Sequence, residues 1–184
     1  MGRFLKWFIA IVIVLGAVLY FSFQRMKKET KKASPEETVT AVIDGANISV
    51  TYSRPSKKGR DIFGALVPYR QVWRTGANEA TTFSTDKAIG FGGKSVAAGT
   101  YTLWTIPDTD QWQVILNSKE YPWGVDFNGQ ASRQTDADVA NVQASVTQLT
   151  DTVEQFTIRF DKQPDPRMVL EWDLTQVSVP IEVQ

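Results

Sequence analysis

Nothing constrains the fold of this chain more than the period-two alternation of apolar and polar residues that runs from Thr38 almost to the C-terminus. Val39, Ala41 and Ile43 alternate before Asp44-Gly45, and Ala46, Ile48, Val50 and Tyr52 alternate after it. A helix would scatter those apolar side chains around its circumference, whereas a strand collects them on one face. The Asp-Gly pair tolerates the positive φ angles of a two-residue turn, so these two runs are read as a β-hairpin. Further strands are expected at Thr81–Thr85, Ala88–Phe91, Thr100–Ile106, Trp112–Asn117, Asn141–Leu149, Glu154–Phe160, Met168–Leu174 and Val177–Val183. The separators are turn material: Gly92-Gly93, Ala98-Gly99, Pro107-Asp108-Thr109-Asp110 and Gln163-Pro164-Asp165-Pro166.

Roughly nine to ten strands, each with one apolar face, would leave that face wet in a single open sheet. The expected fold is therefore all-β, an antiparallel β-sandwich, with Phe156, Ile158, Phe160, Leu170 and Trp172 in its core. A body of this length buries ~68–70% of its unfolded surface, so it can dispense with disulfides. Helix is expected to be scarce within it. Ile62–Val72 has room for a short helical turn, but Pro68 forbids a long one.

Ahead of the sandwich lies a different grammar. From Trp7 to Phe23 no residue is charged, and eleven of these seventeen are Phe, Ile, Val or Leu. As a helix the run would span ~25 Å, short but adequate for a bilayer. It is apolar on every face and flanked by basic residues, which speaks against a buried core helix. Arg3 and Lys6 form the positive start of a signal peptide, yet the apolar run exceeds the usual ~7–15 residues and Ser22-Phe23-Gln24-Arg25 offers no small-x-small cleavage pattern. An uncleaved single-pass anchor at residues 1–32, a linker at 33–37 and the sandwich at 38–184 are expected.

The formal net charge of zero hides an asymmetry. Residues 1–32 hold seven of the twenty basic side chains and one acid, Glu29, leaving a body with 13 basic and 19 acidic residues. Such a body repels polyphosphate, so nucleic-acid binding is not expected, although one basic loop would still suit a small anion. The chain has no cysteine and no histidine. That removes thiol nucleophiles, the commonest general base and the commonest transition-metal ligand, and no metal or cofactor is expected. The oligomeric state is left open by the sequence.

Some motifs only imitate chemistry. Ala88–Ser95 fits the relaxed phosphate-loop pattern, but the residues after it read as turn and strand where a nucleotide site needs a helix N-terminus. Asp108 and Asp110 sit in a turn that accounts for them. Asp136 and Asp138 begin like a calcium loop, yet no glycine stands at its sixth position and Thr147 occupies its twelfth. Ser53, Ser56 and Lys57 lack Ser-x-x-Lys spacing. Of the tryptophans, Trp104 and Trp172 are expected in the core, and Trp123, in Tyr121-Pro122-Trp123-Gly124, is the better ligand candidate.

The stretch Tyr52–Thr82 departs from strand grammar and carries six basic residues against two acids. Arg54, Arg60 and Arg74 would suit a clamp on a carboxylate or phosphate. Equally, Arg74, Asn78 and Glu79 would suit a loop that satisfies buried backbone while closing the fold.

At these residues the chain resembles a known family. Ser53-Arg54-Pro55, Gly59-Arg60, Ile62-Phe63-Gly64, Val67-Pro68-Tyr69 and Val72-Trp73-Arg74-Thr75-Gly76-Ala77-Asn78-Glu79-Ala80 are similar to the bacterial family catalogued as domain of unknown function 2911, as are Gly92-Gly93-Lys94, Ala98–Leu103, Trp112–Asn117 and Leu170–Asp173. The resemblance covers most of residues 40–184 and implies no activity and no catalytic residue. It does imply an envelope-associated protein with its body outside the cytoplasm, in the periplasm of a Gram-negative cell, an expectation set against the five Lys/Arg that follow the span. The expected function is a non-enzymatic, membrane-anchored module binding a small anionic or sugar-like ligand through Arg54, Arg60, Arg74, Asn78, Glu79 and Trp123. The alternatives are a carboxylate-dependent hydrolase using Glu79 and a structural part of an envelope assembly.

Overall fold

The computed structural model describes residues 2–183, and the chain divides between Ala33 and Ser34 into two units. The first unit is one helix, α1 (Arg3–Ala33), with no buried residue. It is long and apolar enough to cross a membrane. It also runs well past Phe23, because Gln24–Lys32 is rich in good helix formers, with Lys32 Nζ 2.8 Å from Glu29 Oε1 one turn away.

The second unit is built of nine strands: β1 (Glu36–Ile43), β2 (Ala46–Ser53), β3 (Thr82–Thr85), β4 (Ile89–Phe91), β5 (Lys94–Val96), β6 (Gly99–Ile106), β7 (Gln111–Asn117), β8 (Asp138–Asp161) and β9 (Arg167–Val183). The linker expected at 33–37 is therefore reduced to Ser34-Pro35. Glu36 and Glu37 already pair with Ser53 and Tyr52, and the Arg54 N–H donates to the Pro35 carbonyl at 2.8 Å.

All neighbouring strands are antiparallel, in the order β1-β2-β3-β6-β7-β8-β9-β4-β5. The Asp44-Gly45 hairpin forms as expected, both residues having positive φ, 45° and 78°. Two pairs of expected strands are each one long strand. Asn141–Leu149 and Glu154–Phe160 merge into β8, and Met168–Leu174 and Val177–Val183 merge into β9. On β9, Thr175 and Gln176 pair regularly with Gln148 and Thr147, and on β8 the residues read as a break are register irregularities between Gln148 and Thr157, opposite Asp173 at φ 56°. They bend the strands without ending them.

A change of partner along β8 makes the sandwich. The first part of β8 pairs with β7 and the rest with β9, whose far end pairs with β4. The sheet thus folds over, and buried residues from all nine strands share one core. Contacts between strands that are not neighbours mark the closure: Phe83 on Phe91 at 5.5 Å and Tyr52 on Phe156 at 5.6 Å, both edge to face. At about 25 cal/mol per Å², each buried aromatic of this kind contributes a few kcal/mol.

The long connection from β2 to β3 seals one end of that core. Ile62 and Val67 are buried, and Phe63 lies 4.8 Å from Trp112. Trp73 stacks on Trp172 at 6.1 Å and 18°. Ile62–Val72 forms turns, with no helix, as the positive φ of Gly64 (87°) and the ring of Pro68 dictate.

Candidate functional site

The segment Trp73–Glu79 is fixed before it reaches any ligand. Trp73 and Thr105 exchange main-chain hydrogen bonds at 2.8 and 3.0 Å. The chain then turns through positive φ at Thr75 (55°), Gly76 (149°) and Asn78 (57°), an unfavourable region for a β-branched residue such as Thr75. Three bonds hold it there. Thr81 Oγ1 donates to the Thr75 carbonyl (2.7 Å), Thr75 Oγ1 to Thr105 Oγ1 (3.1 Å) and Trp73 Nε1 to the Gly76 carbonyl (2.9 Å). A Cβ on Gly76 would meet the Ser53 carbonyl at 2.9 Å, so only glycine fits.

This turn delivers Glu79 and Ala80 to the wall of a cavity of about 450 Å³. Glu36, Thr51 and Thr82 come to it from β1, β2 and β3, and Glu120, Tyr121 and Pro122 from the connection after β7. Every charged residue in that lining is acidic: Glu36, Glu79 and Glu120. Among the described residues, no three or more acidic side chains are grouped to hold a metal ion.

The connection that forms the opposite wall is tied down by polar groups. Asn117, fully buried, donates to the Gln134 carbonyl (2.7 Å) and to Asp138 (2.9 Å), while its own oxygen accepts from Lys119 N–H (3.0 Å) and the Tyr121 hydroxyl (3.2 Å). Arg133 pairs with Asp138 beside it. Tyr121 meets Trp104 edge-on at 5.2 Å. Arg74 joins the two walls: its Nη1 donates to the Trp123 carbonyl at 3.0 Å, and its guanidinium lies 5.9 Å from the Trp123 ring. Burial pulls the Arg74 guanidinium below its ordinary value, and the negative charge of Glu79 opposes that shift.

The residues singled out from sequence thus separate into two groups. Arg74, Asn78, Glu79 and Trp123 gather at one place, with Glu79 in the cavity wall and Asn78 buried behind it, its Nδ2 3.2 Å from the Ser34 carbonyl. Arg54 and Arg60 do not line the cavity. Arg54 donates to the Phe156 carbonyl (3.1 Å) and Thr157 Oγ1 (2.8 Å) and pairs with Glu37. Arg60 donates to the carbonyls of Lys57 (3.0 Å) and Ser56 (2.6 Å), and Lys57 pairs with Asp173 at 2.5 Å. These cations are held by the protein's own acceptors across more than a hundred residues of sequence in the case of Arg54.

Other motifs settle into structural roles. Gly92-Gly93 turns the β4–β5 hairpin, and a strand, not a helix, follows Lys94. Asp108 accepts from Thr109 N–H and Arg70, both at 2.9 Å, and these bonds hold its carboxyl below the usual range. Trp104 and Trp172 are buried. Sequence reasoning missed Glu36, hidden in an apparent linker, and Glu120 and Tyr121, whose segment has no periodicity to place them. The loop position of Tyr121-Pro122-Trp123 was the available signal.

Searches among curated proteins and among solved structures returned no match. A family model described as protein of unknown function (DUF2911) matches residues 34–181, which takes in β1 to β8, β9 as far as Ile181 and both walls of the cavity. The chain belongs to that family.

Proposed function

We propose that the protein is a membrane-tethered, non-enzymatic binding module whose β-sandwich takes a small sugar-like ligand in the cavity between Glu79 and Tyr121. The observation that carries this reading is the lining itself. Carboxylates and hydroxyls accept and donate hydrogen bonds to a polyhydroxylated ligand, and Tyr121 brings an aromatic residue to the lining. The anionic ligand suggested by the basic loop is less well served, since three carboxylates repel it and Arg54 and Arg60 are engaged elsewhere. A panel of neutral and amino monosaccharides, scored by ligand-induced thermal shift on the full chain in detergent, tests it. Binding is expected to weaken in Glu79→Gln and in Tyr121→Ala, and a panel with no binder would refute the reading.

The same proposal places the body outside the cytoplasm, supported by the envelope association that the family resemblance implies and opposed by the basic flank of α1. A compartment-sensitive reporter fused after Gln184 decides between the two sides. A second reading, a hydrolase, is favoured by one observation: Glu79 and Glu120 line a single cavity, as the paired carboxyl groups of glycosidases do. Release of reducing ends from an oligosaccharide, abolished by Glu79→Gln, would support the enzyme over the binding module.

A further inference from the structure

The outer face of the first four strands in the sheet order carries a regular array of hydroxyl groups. Register aligns Thr38 with Thr51, Thr51 with Thr82 and Thr82 with Thr102, forming one row across β1, β2, β3 and β6. Two residues along each strand, Thr40 faces Ser49, Ser49 faces Ser84 and Ser84 faces Thr100, forming a second. Side chains two apart share a face, so both rows lie on the same side of the sheet. Strands set the spacing at ~4.8 Å along a row and ~6.8 Å between rows.

The array is polar, uncharged and open. Thr38, Thr40 and Thr100 are exposed, and Ser49, Thr51, Thr82 and Ser84 are half-buried. Only Thr102 is covered, donating to the Lys119 carbonyl at 2.7 Å where the cavity wall begins. Thr38 and Thr51 share one hydrogen bond (2.8 Å), as do Ser84 and Thr100 (2.9 Å), which leaves each pair a donor to offer. Thr40, Ser49 and Thr82 make no side-chain hydrogen bond among the described residues. Thr51 and Thr82 also line the cavity, so the array and the cavity are one continuous surface.

We infer that this face is the extended subsite for a neutral, linear polysaccharide, one sugar of which enters the cavity while its neighbours lie across the two hydroxyl rows. This rests on the cavity reading above and gives it a substrate class: a polymer, where the cavity alone asks only for a monosaccharide. The chemistry of the array selects the occupant. Hydroxyls that both donate and accept match sugar hydroxyls, and a repeat of ~4.8 Å is comparable with the length of a pyranose ring. A protein partner would want aromatic or aliphatic anchors, and a nucleic acid would want cations; the rows contain neither.

The test compares cellohexaose and chitohexaose with their monosaccharides on the full chain in detergent, by calorimetric titration. The hexasaccharide is expected to bind more tightly than the monosaccharide. In the triple variant Ser49→Ala, Ser84→Ala, Thr100→Val, which leaves the cavity lining intact, hexasaccharide affinity is expected to fall about tenfold while monosaccharide affinity is unchanged. Unaltered thermal unfolding of the variant shows that it is folded. Equal affinity for hexasaccharide and monosaccharide, or a hexasaccharide affinity the variant leaves untouched, overturns the array and spares the cavity. Failure of every sugar to bind the wild-type chain overturns both. A dimer seen by sedimentation, lost in the variant and indifferent to sugar, would assign the face to a second copy of the chain and overturn the inference.

Discussion

Replacing Tyr52 with Phe removes one oxygen from the centre of the sandwich, and its effect can be worked out in two parts. Tyr52 is 2% exposed on β2, and its hydroxyl accepts the Ile158 N–H of β8 at 2.9 Å, across 106 residues of sequence. The ring stays well placed in Tyr52→Phe, edge-on to Phe156. The Ile158 N–H, however, loses its acceptor, which costs about 1–3 kcal/mol for a buried donor. The second part concerns pH. Burial pushes the Tyr52 hydroxyl up to about 12 from its ordinary 10, with the Ile158 bond and Arg54 pulling the other way. A group whose folded value is raised contributes its stability fully below the unfolded value and loses it as pH climbs through the folded one. Between pH 10 and about 12 the wild-type chain should therefore lose up to about 2–3 kcal/mol through this residue. Urea unfolding followed by tryptophan fluorescence, at neutral pH and near pH 11, reads both parts. Tyr52→Phe should be less stable than wild type at neutral pH, and its alkaline loss should be smaller. A variant equal to wild type at neutral pH with an identical alkaline slope would refute the bond and its burial together.

Gly76→Ala should destabilise by about 1–3 kcal/mol in thermal unfolding, because its Cβ meets the Ser53 carbonyl at 2.9 Å in a backbone region alanine avoids. Arg60→Ala, by contrast, removes an exposed side chain bonded only to nearby carbonyls and should shift stability by no more than about 0.5 kcal/mol, leaving sugar affinity unchanged in titration. Asp86 accepts from Asn47 N–H at 2.7 Å and Asn47 Nδ2 at 2.6 Å, bonds that hold its carboxyl below 3.8. A depressed value means stability that is present above the ordinary carboxylate range and lost as pH falls below it, so Asn47→Ala, which removes the Nδ2 bond and keeps the main-chain one, should partly flatten that part of an acid unfolding curve.

Much of this fold was legible because its signals are local. Asp44-Gly45 and Gly92-Gly93 name their own hairpins, and alternation on β1, β2, β6 and β7 says which side chains enter the core. Thr150, Asp151 and Thr152 looked like a break between strands, and nothing nearby says otherwise. Their strand state depends on β9, which a distant segment supplies. The candidate site divides in the same way. Arg74, Asn78 and Glu79 stood out together because one short run holds them, and the structure gathers them. Arg54 looked available for a ligand only because Glu37, Phe156 and Thr157 are far from it in sequence or on another element. The hydroxyl rows were visible as Thr38/Thr40, Ser49/Thr51, Thr82/Ser84 and Thr100/Thr102, but register, which aligns them, is a tertiary fact.

Because β8 pairs with β7 along its first part and with β9 along the rest, the two layers share a strand, and there is no seam there along which one can come away from the other. Freeing β7 exposes β8, and freeing β8 strips β9 of its ladder and then β4 of its own. In native-state hydrogen exchange the amides of Val114, Ile158 and Leu170 should accordingly open as one cooperative unit, at the free energy of global unfolding. The hydroxyl rows stand outside that unit, on β1, β2, β3 and β6, so their edge at β1, paired only with β2, can fray while the interlocked strands hold.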